Sequence, residues 1–534
     1  MKKQFIIVIF LALTCFIAKA QMEPKIPHLR NQGDFKQLIV NGKPTVLLSG
    51  ELHNSTASSM EYMESIWPKL KRLNMNSVIA SVTWEMIEPE EGKFDFSSID
   101  ELIARAREHD MKLVLLWFGT WKNSGSSYAP IWVRQNTKRF PRMQSPLHEN
   151  LNSLSCFSEE TCNADAKAFA NTMKHLKEID EKDNTIVCIQ IENEAGTRKF
   201  SKDFSILADK QFNSQVPKEL VSFLVKNKSN LIPEFGAIWK KSNYRTNGTW
   251  TEIFGVDADE IFMAWYIANY VDKVAAAGKK EYPLPMYVNA WLDSPDGSKK
   301  AGDYPSGGPI AKMIPVYQAA SQHIDILAPD IYRPDFAYVI NSFQRMGNPL
   351  FIPEYLPGER MASDVFYAVG EGALCFSPFG IDNLNPRDTL LFSQAYQVLS
   401  GLLPTITKYQ GTGKMKGILV SPGETKVIEL GGYKLNIEAF DNRKIPAYGL
   451  VIAKEDNEYL VAGDGFTMTF LSKSKTLPHA EIDWAYELVY KNNQWVRQRR
   501  LNGDETGHGS DHNIMFRFDQ NRPIVLNANI FCYE

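Results

Sequence analysis

Residues 186–196 read Ile-Val-Cys-Ile-Gln-Ile-Glu-Asn-Glu-Ala-Gly, an apolar run that ends in two carboxylates separated by one amide. A run this apolar suits a strand buried on both faces. Its break at Glu192-Asn193-Glu194 and Gly196 suits a barrel strand delivering polar groups to the rim where chemistry is done. One such strand does not define a fold. Seven more, and a second carboxylate facing the first, would.

Working outward from it, the chain repeats strand, polar rim, helix from Pro44 onward. Upstream, strands are expected at 45–50, 77–82 and 112–117. They open into Glu51-Leu52-His53-Asn54, Thr83-Trp84-Glu85 and Phe118-Gly119-Thr120-Trp121-Lys122-Asn123. Downstream, strands at 285–290, 324–328, 349–352 and 372–376 run into Asn289-Ala290-Trp291, Pro329-Asp330-Ile331-Tyr332, Pro353-Glu354-Tyr355 and Ser377-Pro378-Phe379-Gly380. Helical periodicity fills the gaps at 60–73, 99–109, 166–179, 219–225, 258–275, 310–321, 336–345 and 389–403. Ser98 and Glu101 have the spacing of a capping box. The excursion 124–161 is long enough to be functional, which makes Trp121, Tyr128 and Trp132 candidates for a substrate wall.

This pattern predicts an α/β fold, a (β/α)₈ TIM barrel over residues 21–410. The competing doubly wound sheet carries its usual function through a phosphate-binding glycine turn after the first strand, and Gly50-Glu51-Leu52-His53 is not one. After about Gln410 short alternating runs separated by Gly-Gly, Asp-Asn and Asn-Gly pairs predict a smaller, antiparallel β-sandwich-like domain over 411–534.

Formal charge is −3, so no basic surface calls for nucleic acid. The 11 Trp, 21 Tyr and 30 Phe suit sugar stacking, although most must serve the core. Residues 1–20 have a basic start, an apolar run and Ala18-Lys19-Ala20 before Gln21, the form of a secretory signal peptide. The expected location is therefore the periplasm or the medium. Leu13-Thr14 before Cys15 is a poor lipidation box, and no later stretch is long enough to span a membrane. Beyond the leader lie Cys156, Cys162, Cys188, Cys375 and Cys532, too few for a disulfide scaffold, with a Cys156–Cys162 bridge left open. His175 and His323 lack ligand-spaced partners, so neither metal nor cofactor is expected.

In the barrel reading Glu194 ends strand four and Glu354 ends strand seven, and both point into one mouth. Such a pair suits glycosidic hydrolysis, one acid protonating the leaving oxygen and the other attacking the anomeric carbon. The alternative is a salt-bridged residue at each barrel end. Glu192 is read as a supporter of Glu194, and Glu88 and Glu91 as turn residues. Trp84, Trp121 and Trp291 sit just past strand ends, where an indole can cover a sugar or merely pack the rim. His53 and Glu85 are candidates to hydrogen-bond hydroxyls.

Three stretches resemble the retaining (β/α)₈ glycoside hydrolases of clan A, and within them the β-galactosidase-like families 35 and 42. They are Val82-Thr83-Trp84-Glu85 with Glu88 to Phe96, Ile189 to Gly196, and Phe351 to Tyr355. The resemblance implies that Glu194 is the acid/base and Glu354 the nucleophile. It also implies that Asn193 contacts the sugar 2-hydroxyl and that Tyr332 donates to the nucleophile. Family 35 usually carries Asn-Ala-Glu after strand three, where this chain has Trp121-Lys122-Asn123, and tends to have Ser-Ile-His-Tyr where it has Glu51-Leu52-His53-Asn54. Asn123 joins the substrate-binding candidates. The expected activity is exo-acting β-galactosidase on a β-linked glycan, without cofactor, and with oligomerisation left open. Another glycone (glucoside, mannoside or arabinoside) and a non-catalytic sugar-binding barrel are the alternatives.

Overall fold

Strands buried on both faces form a parallel sheet that rolls up until its edges meet, and eight of them do so here. In the computed structural model they are β1 (Leu47–Leu48), β2 (Ser77–Thr83), β3 (Lys112–Lys122), β4 (Ile186–Asn193), β5 (Met286–Trp291), β6 (Ile326–Ile331), β7 (Phe351–Tyr355) and β8 (Cys375–Pro378). The structure describes residues 25–534 apart from 34, 386–388, 456 and 508–513, so the leader expected at 1–20 lies outside the described residues. Hydrogen-bonded order runs β1-β8-β7-β6-β5-β4-β3-β2, with every neighbouring pair inside the sheet parallel. Asn76 N–Leu48 O at 3.2 Å, Ile79 N–Gly50 O at 3.0 Å and Leu52 N–Ile79 O at 3.0 Å join β1 to β2 and close the ring.

Period-two alternation divides the strand residues into two layers. Leu47, Ile79, Val114, Leu116, Cys188, Tyr287, Ile326, Ala328, Phe351 and Cys375 share one packed cluster inside the barrel. Leu38 and Val40, from an antiparallel strand Phe35–Val40 ahead of β1, belong to the same cluster. The opposite residues, among them Leu115, Trp117, Ile189 and Ile191, pack outward against the helices. Glu159–Asp180 and Ala258–Glu281 are the two longest helices of this outer layer.

Several expectations are corrected in detail. The 60–73 helix is two pieces, Met60–Met63 and Trp67–Arg72. The 99–109 helix starts at Ser97, and its Ser98 capping box does not form. Instead the Asp95 carboxylate accepts from the Ser97 amide at 2.9 Å and its hydroxyl at 2.6 Å. The 124–161 excursion is partly regular, with a helical turn Ile131–Arg134 and a strand pair Arg142–Gln144 and Asn150–Leu154. Cys156 and Cys162 are free thiols.

Beyond the helix Leu390–Tyr409 come two antiparallel sheets. One has six strands in the order Met415–Val420, Ala447–Ala453, Glu458–Asp464, Ile524–Tyr533, His479–Lys491 and Gln494–Arg500. The other has four in the order Thr425–Leu430, Tyr433–Ala439, Phe466–Ser472 and Ile514–Phe518. Their facing sides enclose a core around Leu435, Phe466, Phe470 and Phe516. The outer side of the larger sheet packs on the barrel through Tyr448, Leu450 and Leu460, with the Tyr448 ring 5.4 Å from that of Phe366. No helix among the described residues is long and apolar enough to cross a membrane.

Gly119 of β3 shows how tightly the outer layer is filled. A Cβ there would stand 2.7 Å from Asp165 Oδ1 and 2.8 Å from Glu192 Oε1. Gly119→Ala should therefore cost about 1–3 kcal/mol by overpacking. The measurement is a lower urea midpoint with an unchanged m-value, and an unchanged midpoint would refute the packing argument.

Candidate active site

The end of β4 makes two unusual backbone turns. Glu192 has φ 59° and Glu194 has φ 45°, left-handed values that cost a non-glycine residue of order 1–3 kcal/mol each. The first turn sends the Glu192 carboxylate outward. There Oε2 accepts from the Trp121 amide at 2.6 Å, and burial and Asp165 push its pKa well up. The second turn leaves Glu194 facing the mouth, its amide donating to Asn289 Oδ1 at 2.9 Å and its carbonyl accepting from Ser124 Oγ at 3.0 Å.

Glu354, at the end of β7, meets it there. Carboxylate oxygens of Glu194, Glu354 and the β6 residue Asp330 all lie within 4.8 Å of one another. Glu354 accepts from Tyr332 Oη at 2.9 Å and from Asn193 Nδ2 at 3.2 Å, so each oxygen has a donor. Asn193 is held in turn by Lys122, whose Nζ donates to its Oδ1 at 3.0 Å. Burial and the Glu354 charge push the Glu194 pKa up to about 7, against the pull of the Lys122 and Arg198 charges. Burial, then the same charge, raises Asp330 and Glu51 well above the usual carboxylate range and Tyr332 above that of a phenol. The mouth can therefore hold one carboxylate charged and another protonated near neutral pH, the division of labour that acid/base chemistry needs.

A cavity of about 520 Å³ opens over this group, walled by Lys122, Asn123, Trp291, Arg333 and Phe379. A larger one, about 770 Å³, lies between the barrel and the β-domain. Its acids Glu359, Asp441 and Asp519 are solvent-exposed and share the lining with Arg443, Lys444 and Arg517, whereas the acids of the barrel mouth are buried together.

The residues expected at the site fall into three groups. Glu194, Glu354, Asn193, Tyr332, Asn123 and Trp291 are brought together, although the Arg198 guanidinium covers one face of the Trp291 indole at 4.2 Å. His53 stands beside the cavity, its ring edge-on to Phe379 at 5.1 Å and its Nδ1 3.0 Å from Asp382 Oδ1. Trp84, Trp121 and Glu85 do not reach it. β3 runs on to Lys122 instead of stopping at Trp117, so alternation turns Trp121 outward onto Tyr270, with its indole N–H on the Leu154 carbonyl at 3.1 Å. Trp84 starts a short helix and is buried against Trp132 and Glu88. Glu85 faces Arg134 at 3.5 Å. Tyr128 and Trp132 pack on Phe118 and Trp84 instead of forming a substrate wall.

Sequence reasoning overlooked Lys122, Asn289, Asp330 and Glu51. The signal was present in part, since Asn289 shares parity with Tyr287, and Asp330 with Ala328, and parity carries both into the lumen. Glu51 is 1% exposed, with neither carboxylate oxygen within reach of a donor among the described residues.

The fold is a parallel β-barrel followed by an antiparallel β-sandwich. The family model described as glycosyl hydrolases family 35 matches residues 37–265, and one described as a domain of unknown function (DUF5597) matches 392–512. The chain is 26% identical to a β-galactosidase of Xanthomonas manihotis over 207 residues, 37% of this chain and 31% of that protein. It is 29% identical to β-galactosidase 13 of Arabidopsis thaliana over 179 residues, 32% and 20% of the two. It thus spans under a third of the length of the curated relatives it matches. The solved β-galactosidases of Bacillus circulans sp. alkalophilus and Rahnella sp. R3 share the fold, with TM-scores of 0.51 and 0.50 at 10% and 11% identity. They are covered over 99% and 98% of their chains by 90% and 91% of this one. The family 35 match ends before β5, so it includes Glu194 and leaves Glu354 to geometry.

Glu51, Glu192, Glu194 and Asp330 all titrate higher in the fold than in the unfolded chain. Each takes up a proton on folding above the unfolded range of about 4, and the stability held below it is lost as pH rises through the folded value. For Glu194 that window ends at about 7. Melting temperature should therefore drop less between about pH 5 and pH 8 in Glu51→Gln than in the wild type. Equal drops would contradict the burial account.

Proposed function

We propose that the chain is an exo-acting retaining β-glycosidase, with β-galactosides as its first-choice substrates. One observation carries the reading: Glu194 and Glu354 face each other across the mouth with carboxylate oxygens within 4.8 Å. Retaining enzymes hold their carboxyl groups about 5–5.5 Å apart, and inverting ones about 6.5–9.5 Å. Glu354, its oxygens aimed by Tyr332 and Asn193, attacks the anomeric carbon while Glu194 passes its proton to the leaving oxygen. A glycosyl ester on Glu354 results. Glu194, now charged, takes a proton from water as the water oxygen attacks the same carbon, and Glu354 is released.

The similar proteins carrying the name β-galactosidase favour that glycone. Lys122 favours a second reading, since it presents an ammonium to the mouth where family 35 usually has Asn-Ala-Glu. On that reading the glycone is a glucoside, mannoside or arabinoside. The leader-like residues 1–20 support export to the periplasm or medium, and mass spectrometry of the exported protein should find Gln21 at its N-terminus.

Aryl β-glycosides of the four sugars, assayed with wild type, E194A and E354A, test the proposal. Wild type should lose kcat/KM as pH rises through about 7, where Glu194 gives up its proton. E194A should slow by about 10²–10⁴-fold on poor leaving groups and much less on activated ones. E354A should not turn over, and azide should yield the glycosyl azide of inverted configuration. Full activity in either variant would remove that residue from the mechanism.

A further inference from the structure

Asp330 is a third acid in a mouth whose proposed chemistry uses two. It is almost wholly buried, stands opposite Glu354 in the β6–β7 register, and keeps an oxygen within 4.8 Å of both Glu194 and Glu354. Its Oδ2 accepts from Asn289 Nδ2 at 2.8 Å. Its Oδ1 is buried and finds no N–H or O–H donor among the described residues. Both oxygens of Glu354 already hold donors, from Asn193 and Tyr332. An ionised Asp330 would thus add a second charge beside Glu354 with one donor to offset it, whereas a neutral one has a hydroxyl to give and one neighbour, Glu194, placed to take it.

We propose that Asp330 is a positioning residue that keeps its proton throughout and donates from Oδ1 to the Glu194 carboxylate. The bond strengthens when Glu194 has passed its proton to the leaving oxygen, so it makes Glu194 a stronger acid and fixes its direction. Asn289 binds both partners, donating to Asp330 and accepting from the Glu194 amide, which holds β4, β5 and β6 in one relation. The groups that bear on the pair are Glu51 beyond β1, Lys122 from β3, Tyr287 from β5, Tyr332 beyond β6, Glu354 from β7, and Arg198 on the Glu194 side. Burial and the carboxylates raise Asp330, which agrees with a proton retained there.

The role in turnover rests on the glycosidase reading, while the hydrogen bond does not. Infrared spectra of protein labelled with ¹³C-carboxyl aspartate should show a protonated carboxyl band at neutral pH that D330N removes and E194Q shifts. In kinetics, D330N keeps an N–H donor toward Glu194 and a carbonyl toward Asn289. Its alkaline limb of kcat/KM should stay within about 0.3 pH units of wild type, whereas D330L should move that limb up by about one unit. D330L should also lose about ten-fold more on poor leaving groups than on activated ones. The proposal is overturned if the band survives D330N, or if the D330N limb falls by about a unit, as loss of an ionised Asp330 would require. A folded but inactive D330N, or a wild-type limb in D330L, overturns it too. Should D330L fail to fold, D330N and the band decide. Absence of glycosidase turnover in wild type would sink the functional reading, and the E194Q shift would still decide the hydrogen bond.

Discussion

The site depends on a backbone that twists the wrong way twice in three residues. Glu192 and Glu194 would share a face if β4 continued as a regular strand, and both carboxylates would crowd the same space. Left-handed φ at both positions separates them, sending one outward to Asp165 and the Trp121 amide and the other into the mouth. The strain is offset locally. Gln190 Nε2 holds the Glu192 carbonyl at 2.8 Å, and Asn289 and Ser124 hold the backbone of Glu194. These are neutral donors and acceptors, so the turn is fixed without adding charge to a region already rich in it.

Charge is the second limit on this mouth. Four buried acids, Glu51, Glu194, Asp330 and Glu354, face one buried ammonium, Lys122, and four anions would repel one another beyond what a single cation offsets. The structure answers by giving donors unequally. Glu354 receives two, Asp330 receives one, and Glu51 receives none among the described residues. Protons then settle where donors are fewest, so the charge pattern follows from hydrogen bonding.

Most of the barrel was legible because burial on both faces writes an apolar run that needs no partner to be recognised. The stretch 77–82 lies within a strand, 186–196 begins with one that ends at Asn193, and 349–352 overlaps the start of Phe351–Tyr355. Where a strand stops is harder to read. Trp117 looks like an end, yet β3 continues for five residues because Lys122 still pairs with Asn193 across the sheet. That error of length moved Trp121 to the wrong layer and hid Lys122. Glu194 and Glu354 could be paired from strand ends alone, while the Asn289 and Asp330 contacts depend on cross-strand register. Residues 41 positions apart give no sign of that register.

The helix Leu390–Tyr409 belongs to two structures at once. It covers the barrel, and Gly401 in its middle accepts the Trp495 indole N–H at 2.8 Å while packing beneath the Tyr490 ring. The DUF5597 match begins inside this helix, at residue 392, well before the change of texture near Gln410. A cut at that visible change would leave Trp495 with its donor and no acceptor, and would bare the indole's apolar face. The joint along which the two halves could be exchanged between proteins therefore runs one helix earlier than composition suggests, with the β-domain carrying its own piece of the barrel wall.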